Sequence, residues 1–469
     1  MKIQALNTIF SALFLIILTG LGGFGLFQLL SSDQDWLKDS GDKTPQLAFS
    51  DAFDKQFSEN PGFIDPLVDL KSRLYNQSIT PKVILGKAGW LFLGQEDQRI
   101  NTIPQSLGLS QFSERELKHW QLLFDQRQAW CAHKGMDYHL VIAPNKASVY
   151  PELLPTRLKR TEASTLTDQL IQHLQAKELK VTNLLPYLAF SKGDKTFFHK
   201  HDTHWNDEGA WIAANAVLGA LESDTIIANQ TDHFMRTDTI RQSGDLARMM
   251  RQTSRQEPVT KIEFSGDQPF QFQEEKSKGF PDYLSTEITT SRQGYFPKAI
   301  LFHDSFGEML KPFLSPHFQE IIYFRLWKGF EPYWIRTQAP EIVINLIVER
   351  IFMSHLTQND QLVLQWYWPT RYGALQALTN DNKITDKENI PEFVKNLRDH
   401  DEDILVIRLK VEAASKGKFV VDYGFQKLNY ELNEGENELF VQVMAGQFLD
   451  FVFPEGVEVR INETEMRKF

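Results

Sequence analysis

Three histidines and an aspartate fall within six residues in Phe198-His199-Lys200-His201-Asp202-Thr203-His204-Trp205-Asn206-Asp207-Glu208-Gly209-Ala210, just ahead of a helical pattern. Imidazole, with an ordinary pKa of about 6.5, is the side chain suited to taking a proton near neutral pH. It needs a nucleophile to activate. Farther down the chain, Ala299-Ile300-Leu301-Phe302-His303-Asp304-Ser305-Phe306-Gly307 reads as a buried strand that ends in Asp-Ser at its carboxyl edge. In an extended segment residues i and i+2 point to the same side, so Asp202 can accept from Nδ1–H of His204 while Nε2 faces a hydroxyl. Ser305 lies where α/β sheets expose their ligands, and the backbone amides of Ser305 and Phe306 are placed to stabilise an oxyanion. Asp202, His204 and Ser305 are therefore read as a catalytic triad that forms an acyl-serine.

Two plainer readings compete. Asp-Ser before a helix is ordinarily an N-cap. His199, His201, Asp202 and His204 at this spacing also suit zinc or iron. No second ligand cluster accompanies them, and three histidines so close on an extended segment cannot all converge. No metal is expected, and His199, His201 and His303 become polar surroundings of the site.

The positioning elements follow from periodicity. Val83 to Leu93 reads as a hairpin of two short apolar strands turned by Gly86-Lys87-Ala88-Gly89. Ser113-Glu114-Arg115-Glu116 is a capping box that opens a helix running to about His133. Strands are expected at Tyr138–Ala143, Leu179–Thr182, Ala299–Phe302, Glu320–Phe324 and Ile342–Leu346. Helices are expected at Thr165–Gln175, at Glu208–Leu221 and after Ser305. Such alternation implies a parallel sheet covered on both faces, an α/β class. Residues 225–295 read as a looser, polar insertion over the site. The tail carries short β segments separated by Gly, Asn and Glu turns, the pattern of an antiparallel β-sandwich.

The expected organisation is a membrane anchor at 1–32, a linker and lead-in at 33–79, an α/β catalytic domain at 80–365 and a β-sandwich at 380–469. A chain of 469 residues exceeds what one core usually organises. Its net charge of −11 excludes nucleic acid as a partner, since nothing would neutralise phosphates. The single cysteine, Cys131, excludes an internal disulfide. After Lys2 no charge appears until Asp33, a run long enough to span a bilayer and without an Ala-x-Ala cleavage pattern. The bulk of the chain is expected outside the cytoplasm behind a single-pass anchor, the alternative being a soluble periplasmic protein after cleavage.

Together, Gly86 to Leu93, Ala143-Pro144-Asn145-Lys146-Ala147-Ser148-Val149-Tyr150-Pro151, Asp202-Thr203-His204-Trp205-Asn206 with Gly209, Gly244-Asp245-Leu246 and His303-Asp304-Ser305-Phe306 resemble the SGNH-hydrolase-like alginate O-acetyltransferase family. The resemblance covers about residues 80 to 350. It implies a three-layer α/β/α sandwich and O-acetylation of an exopolysaccharide in the periplasm at the Gram-negative inner membrane. Ser305 would be the nucleophile, His204 the base and Asp202 its orienting partner. It also implies a membrane-bound O-acyltransferase as acetyl donor and a carbohydrate-binding role for the tail. Trp366, Trp368 and Arg371, which lie between the domains, either stack on sugar rings or pack the domain interface. No nucleotide-binding glycine motif occurs and no cofactor is expected. A polysaccharide acetylesterase with the same triad and a non-catalytic polysaccharide-binding scaffold are the alternatives.

Overall fold

Strands that are apolar on both faces must lie between covering layers, and two segments have that composition. Phe296–His303 and Ile342–Val348 lie side by side within a seven-stranded sheet of the computed structural model. The structure describes residues 78, 80–95, 100–191, 195–221, 234–252, 255–264, 270–275, 286–291, 294–325, 329–353, 359–377, 404–424, 426–444 and 449–469. The expected anchor at 1–32 and all but residue 78 of the lead-in at 33–79 lie outside the described residues. Among the described residues no helix is long and apolar enough to cross a membrane.

The first described elements are an antiparallel hairpin, β1 (Val83–Leu85) and β2 (Leu91–Leu93). Helix α1 (Glu114–His133) begins on the capping box, with Ser113 and Glu116 bonded reciprocally. There follow β3 (Asp137–Ala143), α2 (Leu166–Gln175) capped by Thr165, β4 (Val181–Asn183) and α3 (Asp207–Leu221). Strands β5 (Phe234–Gln242) and β6 (Gln256–Phe264) form a separate antiparallel hairpin. Next come β7 (Phe270–Glu275), β8 (Thr286–Ser291), β9 (Phe296–His303), β10 (Phe318–Arg325) and β11 (Ile342–Val348).

The main sheet has the order β4-β3-β11-β9-β10-β8-β7. Its first five strands are parallel, whereas β8 runs antiparallel to β10 and β7 antiparallel to β8. The expected parallel sheet is thus a mixed one, and the stretch expected as an insertion contributes two of its strands. Their Thr-, Gln- and Glu-rich sequences suit a sheet margin, where the hydrophobic signal of a buried strand is absent. The helix expected after Ser305 is a 3₁₀ turn, Ser305–Leu310, followed by one α turn, Lys311–Leu314, with Pro312 near its start. Helix α1 is tied to the sheet through its buried Arg127, whose Nη1 donates to Asn345 Oδ1 at 2.6 Å in the middle of β11 and whose Nε donates to Asn359 Oδ1 at 2.8 Å.

Beyond α4 (Gln361–Tyr367) and β12 (Gln376–Ala377) come β13 (Ile404–Ala413), β14 (Gly417–Asp422), β15 (Lys427–Leu432), β16 (Gly435–Met444), β17 (Asp450–Val452) and β18 (Val459–Lys468). They form two antiparallel sheets, β12-β18-β13-β16 and β15-β14-β17, that share one core. That core also takes Leu364, Tyr367, Trp368 and Tyr372, and Leu122 from α1. Gln126 donates to Gln442 Oε1 at 2.7 Å in a buried contact, and the Gln365 amide bonds both backbone groups of Phe440.

This join corrects one of the expected sugar-stacking residues, Trp368. Trp368 is fully buried, edge-on to Tyr367 and Phe469, so a sugar ring has no face of it to meet. Trp366 stacks on His133 of α1, and the Arg371 guanidinium lies 4.1 Å from the Tyr367 ring centre. Trp368→Ala is therefore expected to destabilise the C-terminal transition by about 3–5 kcal/mol in denaturant unfolding. A fall in affinity for polysaccharide with unchanged unfolding would contradict this placement.

Candidate active site

The histidine-rich stretch is a tight excursion between β4 and α3. A backbone bridge pairs Phe198 with Trp205, His199 N donates to His204 O at 3.1 Å, and Asn206 N donates to Phe197 O at 3.0 Å. Gly209 allows this closure, because a Cβ there would lie 2.1 Å from Phe197 O. Trp205 is fully buried and meets the Phe306 ring edge-on at 4.9 Å, which seats the loop against the turn after β9.

The three residues expected as a triad come together. His204 Nδ1 lies 2.7 Å from Asp202 Oδ1, and His204 Nε2 lies 2.8 Å from Ser305 Oγ. Asp202 is almost wholly buried, whereas the His204 side chain is 24% exposed and Ser305 is half-buried. Asp304 secures the serine turn: its Oδ1 accepts from Phe306 N at 2.8 Å and its Oδ2 from Val348 N at 2.7 Å, bridging the carboxyl ends of β9 and β11. This engages the Phe306 amide, one of the two donors expected for an oxyanion; the Gly307 amide likewise donates to Asp304 O at 3.1 Å.

Four further residues complete the site. Lys146, in the turn after β3, donates from Nζ to the backbone oxygens of His199, Lys200 and Asp202 at 3.0, 3.3 and 2.6 Å. Its ammonium also lies 5.6 and 5.4 Å from the ring centres of Trp90 and Phe92. Burial pushes Lys146 down to about 7, against the pull of Asp245, Asp202 and Glu257. Arg241 Nη2 donates to Asp202 Oδ2 at 2.8 Å, and the Asp245 amide donates to the same oxygen at 3.1 Å. The Asp245 carboxylate accepts from the backbone and hydroxyl of Thr203, and Glu257 accepts from the Lys200 amide. Burial would raise the Asp202 carboxyl, but hydrogen bonds and charge from His204 and then Arg241 outweigh it and hold it well below the usual carboxylate range.

Gly244 explains how these parts approach one another, since a Cβ there would sit 2.5 Å from both Asp202 Cβ and His201 O. Asp202, His204 and Asp245 bring three potential ligand atoms within 4.8 Å. Those of Asp202 and His204 are bonded to each other, to Ser305 and to Arg241, and the guanidinium opposes a second cation. Buried His199 turns instead toward Glu257, at 3.4 Å, and burial pushes His201 down to about 4. Sequence reading quoted Lys146 and Asp245 within motifs but gave them no role, and it passed over Arg241 and Glu257 inside the polar stretch.

Residues 83–280 match the sequence model of the SGNH hydrolase-like domain, acetyltransferase AlgX. This segment is similar to the domain of that SGNH-like acetyltransferase family. It holds Asp202, His204, Lys146, Arg241 and Asp245, and it ends before Ser305. The chain is 26% identical over 235 residues to a probable alginate O-acetylase AlgJ of Pseudomonas fluorescens, covering 50% of this chain and 56% of that protein. It is 29% identical over 183 residues to the Pseudomonas aeruginosa counterpart, covering 38% and 42%. The chain thus spans about half the length of the curated relatives it matches. Among solved structures, the O-acetyltransferase domain of Pseudomonas putida AlgJ overlaps at TM-score 0.39 and 17% identity, over 61% of this chain and 98% of that one.

Gly244→Ala is expected to displace Asp202 and slow labelling of Ser305 by a serine-directed sulfonyl fluoride by about 100-fold, the scale of a 1 Å misplacement. Peptide mass spectrometry over time measures this, and an unchanged rate would mean that the loop absorbs the extra methyl group.

Proposed function

We propose that this protein is a periplasmic O-acetyltransferase that acetylates an exopolysaccharide through an acetyl-Ser305 intermediate. The observation that carries this reading is His204 bridging Asp202 and Ser305 at 2.7 and 2.8 Å. Ser305 Oγ attacks the acetyl carbonyl of a donor ester while its proton passes to His204 Nε2. Collapse of the tetrahedral intermediate expels the donor oxygen, which takes that proton back. A sugar hydroxyl then gives its proton to His204 and attacks the acetyl-serine carbonyl, and Ser305 Oγ leaves with that proton returned from His204. Asp202, ionised and buried, holds the ring with its proton on Nδ1 and stabilises the imidazolium formed at each half-reaction.

The oxyanion donors in this reading are the Ser305 amide and the Asn145 side chain. Asn145 follows β3 at the same sheet edge as Ser305, as the parallel pairing of Ala143 with Val348 and the Val348–Asp304 bond require. Its Nδ2 is buried with no hydrogen-bond partner among the described residues. Its backbone N–H is held by Glu349 and its Oδ1 accepts from Arg350, whose guanidinium lies over the Phe306 ring. The names of the relatives support an anionic polysaccharide acceptor. The donor is an acetyl ester delivered by a membrane-bound O-acyltransferase, and the 1–32 segment anchors the chain at the inner membrane. The C-terminal sheets, read as a β-sandwich, hold the polymer.

Incubation with a small acetyl ester and an uronate-rich oligosaccharide is expected to yield acetylated oligosaccharide, with acetyl-Ser305 trapped by mass spectrometry. Ser305→Ala is expected to abolish both. Release of acetate to water alone would make the protein an esterase, and turnover in Ser305→Ala would refute the triad. Asn145→Ala is expected to lower kcat by about 10²–10³ with KM little changed, as for loss of one oxyanion donor.

A further inference from the structure

We propose that Arg241, carried by the β5–β6 hairpin with its cross-strand partner Glu257, is a positioning residue that sets the orientation of Asp202 and thereby the tautomer of His204. The proposal rests on the triad reading. Arg241 stands directly opposite Glu257 in the register of the hairpin. Its Nη2 donates to Asp202 Oδ2 at 2.8 Å, while its Nη1 lies 3.5 Å from Glu257 Oε1. The other oxygen of Glu257 accepts from the Lys200 amide, and Oε1 lies 3.4 Å from His199 Nδ1. One rung of the hairpin therefore holds the histidine loop at two points, before and at its aspartate.

The two oxygens of Asp202 divide their tasks. Oδ2 takes Arg241 and the Asp245 amide, which leaves Oδ1 to the His204 ring at 2.7 Å and the His204 amide at 3.1 Å. A carboxylate pinned on both sides cannot rotate, so His204 keeps its proton on Nδ1 and presents Nε2 to Ser305. A guanidinium suits this task because its planar fork addresses Asp202 and Glu257 at once, which a point-like ammonium cannot do. The charged and titratable groups facing the rung are Asp202, His199, His201 and His204 from the loop, Asp245 after Gly244, Lys146 after β3, and Arg255 before β6.

The test measures kcat, KM and the pH profile of acetyl transfer, together with the downfield NMR resonance of the His204 Nδ1 proton. Arg241→Ala is expected to lower kcat about 10- to 100-fold with KM nearly unchanged. Its acid limb moves to higher pH, because a cation beside the Asp202–His204 pair has been removed, and the downfield resonance shifts or broadens. Arg241→Lys keeps the charge and is expected to restore the position of the limb and only part of kcat. This variant keeps the test informative if Arg241→Ala does not fold. A rise in KM for an anionic oligosaccharide with kcat intact would overturn the proposal and make Arg241 a substrate ligand. Equal losses in both variants with an unmoved limb and resonance would reduce it to structural support. Ser305→Ala run in parallel separates the failures: if it retains turnover, the triad reading falls, whereas loss there with an unaffected Arg241→Ala removes only the positioning role.

Discussion

A buried ammonium must find several acceptors, because taking a charge out of water costs several kcal/mol even after relaxation, and Lys146 finds its acceptors in the backbone of one loop. The carbonyls of His199, Lys200 and Asp202 all turn toward it. That requirement fixes the path of the loop, and the loop's path places Asp202 and His204. Trp90 and Phe92 from the β1–β2 hairpin wall the ammonium on its apolar side, and Tyr150 accepts from the Phe197 amide at the base of the loop. Segments distant in the chain thus meet around one charge.

The electrostatics follow from the same centre. Asp202, Asp245 and Glu257 bring three carboxylates close to the loop, and the Arg241 guanidinium and the buried Lys146 side chain face them. Unpaired, a buried carboxylate would take up a proton, and a protonated Asp202 could not orient the imidazole. The guanidinium and backbone donors keep it ionised in a buried position, while the His204 side chain stays 24% exposed.

Much of this was legible in the sequence, for physical reasons. The i, i+2 spacing of Asp202 and His204 is a geometric statement about extended backbone, and the reciprocal capping of Ser113 and Glu116 is a chemical one, so both transfer directly to three dimensions. Strands β9 and β11 announce themselves because both faces are apolar. Lys146 and Arg241 were opaque because a cation after a strand or on a polar hairpin ordinarily belongs to the solvated face, and only the tertiary arrangement shows it buried or paired. Strands β7 and β8 were hidden by polar composition at the sheet margin. Trp368 was ambiguous, since an aromatic cluster between two units suits sugar stacking and interface packing alike, and only the tertiary arrangement places it in the packing that joins them.

On the proposed mechanism, capping by Asp304 and catalysis by Ser305 share one dipeptide. Asp304 ties the amide of Phe306 to that of Val348, so its carboxylate fixes the serine turn to two strands of the sheet. That anchoring makes the position of Ser305 a property of the rigid sheet edge, while His204 comes from a loop held by Lys146 and Arg241. It also removes the Phe306 amide from the pool of oxyanion donors, so on the proposed mechanism the developing charge is met by the Ser305 amide and by a side chain from the turn after β3, two strands away. Asn145 has the required chemistry because Glu349 and Arg350 occupy its backbone N–H and side-chain oxygen and leave only the NH₂ group unspent. The geometry of the cap therefore dictates where the rest of the oxyanion site has to be built.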